Sequence, residues 1–235
     1  MSKIFIPANE AGDWKMLLAD PEKQWKTGYS AKALAHCWQE ANDFPKDVKE
    51  VFRNSKIPLF QNIELLLAFP EYKVPLPGGR RASQNDIFIL AKGDNQLVSI
   101  MVEGKVDEPF GELVSEWKKK DLGGKRERLN FLLNKLDLLD LEENRVNDIR
   151  YQLLHRTASA LIEAEIFNAP NALMLVHSFP CDNKQEKENF ADYCRFLAFY
   201  GLEGKIDSVA KVRQRVHGIK LYFGWVKGDP QYLDM

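Results

Sequence analysis

The chain has 235 residues, 45% of them hydrophobic and 29% charged, with 33 basic against 34 acidic side chains and a formal net charge of -1. That balance fits one globular domain with elaborations and argues against a histone-like, wholly electrostatic nucleic-acid binder, while leaving room for a local basic groove. Cys37, Cys181 and Cys194 are odd in number and form no Cys-x-x-Cys pair, which points to a reducing cytoplasm and not to a disulfide framework.

In chain order, residues 1 to 58 read as a helical N-terminal extension, ahead of an α/β (α+β) core from 59 to 235. No basic-then-apolar leader opens it, and no run approaches the ~20 apolar residues of a membrane helix. Ala31, Leu34, Ala35 and Trp38 have helical spacing, which predicts a helix over 29–42 with Ser30 as its cap. A short helix follows near Pro45 (43–52), and a third is predicted over 57–69, ending before Pro70.

From 71 the signal becomes extended. Strands are predicted over 86–92 and 96–106, joined through Gly93-Asp94-Asn95, whose residue types suit a hairpin. Helices at 126–139 and 149–167, a buried strand at 171–179, a helix at 187–202 and a last strand at 219–226 complete the core. The order implies a central mixed sheet flanked by helices.

One feature of the 96–106 strand carries chemistry. Seven acids stand two residues before a lysine, at Asp13, Asp47, Glu71, Glu103, Glu116, Asp182 and Glu203, but only Glu103-Gly104-Lys105 follows a long apolar strand. Strand period two puts Glu103 and Lys105 on one face, and Gly104 between them leaves its carbonyl open as an oxygen ligand. Asp86 lies about seven residues before the hairpin turn and Glu103 about eight after it, so the two carboxylates meet at one sheet end. Two carboxylates and a carbonyl form a hard-oxygen set for Mg²⁺ or Mn²⁺. A surface ion pair that merely ends the strand would give the same residue pattern.

Asp86 and the Glu103-x-Lys105 triplet on the next strand, followed by a helix and a strand, resemble the PD-(D/E)xK nuclease superfamily over roughly residues 60 to 180. The stretches PLPGGRRASQNDIFIL, VEGKVDEPFG and RYQLLHRTASALIEAE also resemble an uncharacterised bacterial family placed near it. The resemblance implies a restriction-endonuclease-like core, Mg²⁺ held by Asp86 and Glu103, and Lys105 positioning the attacking water. It departs at Asn85, where the superfamily often has proline. The superfamily's accessory acid falls on Glu64, and its polar helix residue on Gln152. Gln152, Arg156 and Ser159 share a helix face, with Arg150 and His155 nearby. Asp107 either adds a ligand or begins a turn.

Arg80, Arg81, Lys125, Arg126 and Arg156, with the basic runs at 118–128 and 205–220, are the candidates for phosphate contact. For any one cluster, ordinary surface charge is the simpler reading. No P-loop, Gly-x-Ser-x-Gly elbow or zinc spacing is present, and His177 reads as a core histidine. The expected function is a Mg²⁺-dependent nuclease acting on DNA ahead of RNA, with no membrane role and with homodimerisation left open. The alternative is a non-catalytic scaffold binding nucleic acid or a partner protein, with Glu103 and Lys105 as a structural ion pair.

Overall fold

The computed structural model describes residues 8–119, 123–180 and 184–235. A 3-10 helix at Ala11–Leu17 leads into α1 (Pro21–Gln24), α2 (Ser30–Ala41), α3 (Lys46–Asn54) and α4 (Pro58–Gln61). The hairpin strands β1 (Glu64–Val74), β2 (Ser83–Gly93) and β3 (Gln96–Lys105) follow. Then come α5 (Val114–Lys119), α6 (Lys125–Lys135), α7 (Glu143–Asn147), α8 (Tyr151–Ile166), β4 (Asn171–Ser178), α9 (Lys184–Ala198), β5 (Ser208–Val216) and β6 (Ile219–Lys227).

The strands form one sheet in the order β1-β2-β3-β4-β6-β5. β1, β2 and β3 are antiparallel neighbours, β4 runs parallel to both β3 and β6, and β5 closes the far edge antiparallel to β6. Asp94 and Asn95 both have positive φ between the paired Gly93 and Gln96. This is the two-residue turn whose twist matches the flanking strands.

Each face of the sheet carries its own apolar layer. Ile87 and Ile89 of β2 and Val98, Ile100 and Val102 of β3 share one face and pack with Leu34, Trp38, Val48, Phe52 and Phe60 of the N-terminal helices. Phe88, Leu90, Met101 and Met174 pack with Leu132, Leu153, Leu161 and Phe196 on the opposite face. All eight residues of β4 are buried, as a parallel strand covered on both sides requires. Each Leu, Val or Phe so buried contributes about 1.5–3 kcal/mol.

Two expectations are corrected, and one strand is unforeseen. The 57–69 helix is instead the four-residue α4 followed by β1. An apolar run as short as Leu65–Phe69 carries no period that separates helix from strand, and Pro70 is tolerated because β1 is an edge strand. The 205–220 run folds mostly as β5, an edge strand whose exposed residues hid its alternation. Ser30 is the first residue of α2 and not its cap; Tyr29 precedes it without a side-chain capping bond.

Candidate active site

The β2–β3 ladder ends at the Ile87–Val102 pair, which puts Asp86 and Glu103 next in register at one end of the sheet. Both lie on the α8 side, one residue out of phase with the Ile87–Val102 layer. The Gly104 amide donates to Asp86 Oδ2 at 2.7 Å, so the glycine orients the aspartate through its N–H. Lys105 Nζ donates to Glu103 Oε1 at 2.6 Å, with both side chains at most 3% exposed. The predicted Asp86, Glu103 and Lys105 therefore come together.

α8 lies across β2, β3 and β4. It brings Arg156 onto the same group: Arg156 Nε donates to Glu103 Oε2, and Nη2 reaches Asp86 Oδ1 at 3.3 Å. All four carboxylate oxygens of Asp86 and Glu103 thus have a donor. Gln152, one turn earlier on α8, lines the same cavity of about 450 Å³, and its buried Oε1 has no hydrogen-bond partner among the described residues. The other members of that helix face are used structurally. Ser159 Oγ donates toward Ser83 Oγ at 3.0 Å, His155 Nδ1 meets Ser83 Oγ at 2.8 Å, and Arg150 pairs with Asp192 at 2.6 Å.

A third acid was missed. Glu71 lies between the Pro70–Ile87 and Tyr72–Asn85 pairs, which places it across from Asp86. It lines the cavity with φ +50 and accepts from Gln84 Nε2 at 2.7 Å. Glu71-x-Lys73 is one of the seven triplets, and it too ends an apolar run. The signal was lost because that run was read as a helix.

Electrostatics divides the acids. Burial alone would raise the Glu103 carboxyl, but Arg156 and Lys105 outweigh it and hold it below the usual range. Burial, reinforced by the charge on Glu103 and only partly offset by Arg156, pushes Asp86 well above its usual value. Burial likewise lifts Glu71 to about 7, against the favourable Gln84 bond and Arg156 charge. For Lys105, burial favours the neutral amine, yet Glu103, Glu108 and Asp86 keep the ammonium above its usual range. Lys105 is thus a fixed positive charge and not a free base.

Glu64 is corrected. It pairs with Lys92, at the other end of β2 from Asp86, six residues or about 20 Å away. Asp107 is exposed beyond the end of β3, while its neighbour Glu108 lines the cavity. Arg80 and Arg81 are exposed on the β1–β2 loop at the site's end of the sheet. Arg128 clamps that loop by donating to the carbonyls of Pro77, Leu76 and Gly79. A close Gly78–Gly124 contact brings the loop against the start of α6. Arg126 is exposed there, whereas Lys125 lies over the Trp117 ring and donates to its carbonyl. Lys211, Arg213 and Arg215 of β5 lie three strands from β3 and do not line the cavity. Lys120, within the basic run at 118–128, lies outside the described residues, as does Cys181.

A second cluster, Cys37, Asp47 and His177, brings its ligating atoms within 4.8 Å of one another, beside a cavity of about 810 Å³ lined by Cys37 and Asp47. Its hydrogen bonds speak against a metal. Trp38 Nε1, which can only donate, points at His177 Nδ1 at 3.1 Å. The imidazole proton must then sit on Nε2 and donate to Asp47 Oδ2 at 3.1 Å, leaving no lone pair for an ion. Burial also raises the Cys37 thiol far above its usual range. This cluster pins α2 and α3 to β4. His177, 0% exposed, is the core histidine its sequence context predicts.

Over residues 7–230 the sequence matches the model of a family described as a domain of unknown function, DUF6946. The chain belongs to this family. No curated protein and no solved structure matches it. Among the described residues, no helix is long and apolar enough to cross a membrane.

Proposed function

We propose that this DUF6946 protein is a metal-dependent phosphodiesterase of the PD-(D/E)xK type, acting on DNA ahead of RNA. The observation that carries the reading is the convergence of Asp86 and Glu103 beside a buried, charged Lys105 at the end of adjacent strands, opening on a cavity. The sheet order, with a hairpin feeding α8 and then the parallel β4, is consistent with a restriction-endonuclease-like core.

The donor set fits a hard divalent ion. Asp86, Glu103 and Glu71 supply carboxylate oxygens, and Gln152 Oε1, without a partner among the described residues, is an amide acceptor. Bound there, Mg²⁺ or Mn²⁺ would neutralise phosphate charge and acidify a water. The protein's own residues do the rest. Lys105 holds positive charge where negative charge develops in the transition state, inside a partly dry site where that charge counts most. Gly104 and Gln84 fix the orientation of Asp86 and Glu71. Arg80, Arg81 and Arg126, exposed at the site's end of the molecule, provide backbone phosphate contacts without base readout.

One observation favours the non-catalytic scaffold instead: Arg156 and Lys105 already satisfy Glu103 completely, as in a structural ion-pair network. Incubation with single- and double-stranded DNA and RNA, with Mg²⁺, Mn²⁺ or chelator, separates the two. The nuclease reading expects metal-dependent cleavage that Asp86→Asn and Lys105→Met abolish without unfolding. Cleavage that persists in both variants would place it outside this site and overturn the reading, and none with any substrate and metal supports the scaffold.

A further inference from the structure

The network around Arg156 poses a problem for any cation entering the site. The guanidinium occupies one oxygen of Glu103 and one of Asp86, while Lys105 and the Gly104 amide take the others. The Arg156 side chain is 7% exposed, so a cation that displaced it would leave a second buried charge without a partner. Removing one partner of a buried pair is strongly unfavourable for that reason. Yet Arg156 lines the same cavity as Glu71 and Gln152, and that cavity of about 450 Å³ gives its head group somewhere to go. A planar guanidinium matches two oxygens of a phosphodiester as well as it matches a carboxylate.

We propose that Arg156 is an exchangeable counter-ion: it neutralises Glu103 and Asp86 in the metal-free protein and passes to a phosphodiester when a divalent ion takes its place. The ion and the phosphodiester then load together, each removing the obstacle to the other. This rests on the phosphodiesterase reading and adds to it a named phosphate-binding residue and an order of assembly. Neutral chains of similar shape do not satisfy the displaced guanidinium, so the coupling is specific to anionic linkages. Glu71 and the Gln152 amide oxygen, which line the same cavity, are the residues that would help Asp86 and Glu103 hold the ion.

The test is calorimetric titration of Mn²⁺ into the wild-type protein alone, with a short phosphorothioate single-stranded DNA, which is anionic and resists cleavage, and with the uncharged methylphosphonate oligomer. The proposal expects Mn²⁺ to bind about tenfold or more tightly with the phosphorothioate than in the other two cases, within the usual range of coupling between sites. In Arg156→Gln, Mn²⁺ alone should bind about tenfold more tightly than in the wild type, and the oligomer should add little. Equal Mn²⁺ affinity of the wild type with and without the phosphorothioate, lost in Glu103→Gln, would leave the metal site standing and overturn the exchange. No Mn²⁺ binding under any condition would overturn both. The wild-type comparison stands even where Arg156→Gln fails to fold.

Discussion

Arg156 of α8 donates to Glu103 of β3 inside the protein, with the two side chains 7% and 2% exposed. The same carboxylate also holds Lys105. One acid thus compensates two buried cations, and its loss has a defined cost. Glu103→Ala should destabilise the fold by about 3–5 kcal/mol, because it strips buried Lys105 of its carboxylate and leaves Arg156 only its 3.3 Å contact with Asp86. Glu103→Ala combined with Arg156→Met should cost less than the sum of the single changes. Denaturant unfolding of the four proteins checks this, and strict additivity would contradict the shared-charge arrangement.

Glu71 predicts a pH effect. Its carboxyl rises from an ordinary 4.5 to about 7 in the folded chain. Between those values the folded state holds a proton that the unfolded chain has lost, so this group's contribution is full below about pH 4.5 and disappears as pH rises through about 7. Glu71→Gln, which mimics the protonated acid, should therefore gain on the wild type in thermal stability as pH goes from 5 to 8. Melting curves across that range check it; a constant gap would show that Glu71 titrates normally. Mn²⁺ with an anionic oligomer should reverse the order at pH 8.

Much of this site was legible from residues alone. The turn Asp94-Asn95 fixes the register, the register fixes Asp86 beside Glu103, and strand period two fixes Lys105 beside Glu103. Helical spacing likewise put Gln152 and Arg156 on one face of α8. Glu71 was hidden because apolar residues 65–69 look alike in a helix and in an edge strand. The role of Arg156 was hidden for a different reason. A basic residue beside a phosphodiesterase motif suggests phosphate contact, and only the tertiary placement of α8 across β3 reveals that it meets acids first.

Trp38 tests how the N-terminal helices are held. Its indole N–H satisfies His177 Nδ1, and both residues are fully buried. Trp38→Phe should cost about 1–3 kcal/mol from the unsatisfied acceptor, in addition to lost packing. It should leave Mn²⁺ binding at the Asp86–Glu103 end unchanged. Calorimetry and denaturant unfolding on one preparation check both; a parallel loss of metal binding would mean the two regions are coupled.

Arg80 and Arg81 are exposed on a loop that Arg128 holds in place. If they contact backbone phosphates, the double change to alanine should weaken nucleic-acid binding about equally for all sequences and reduce the salt slope by about 2. Titrations of a labelled oligonucleotide at several salt concentrations check it, and an unchanged slope would remove these arginines from the binding surface. The melting temperature should stay the same, because neither side chain is buried.

The most direct test is a crystal of the protein grown with Mn²⁺ and a phosphorothioate oligonucleotide, measured for anomalous scattering. The account predicts a manganese peak bounded by Asp86 and Glu103, with the Arg156 guanidinium turned from them onto a phosphate oxygen. Oligonucleotide bound elsewhere, with no peak at this site and Arg156 still joined to both carboxylates, would contradict it.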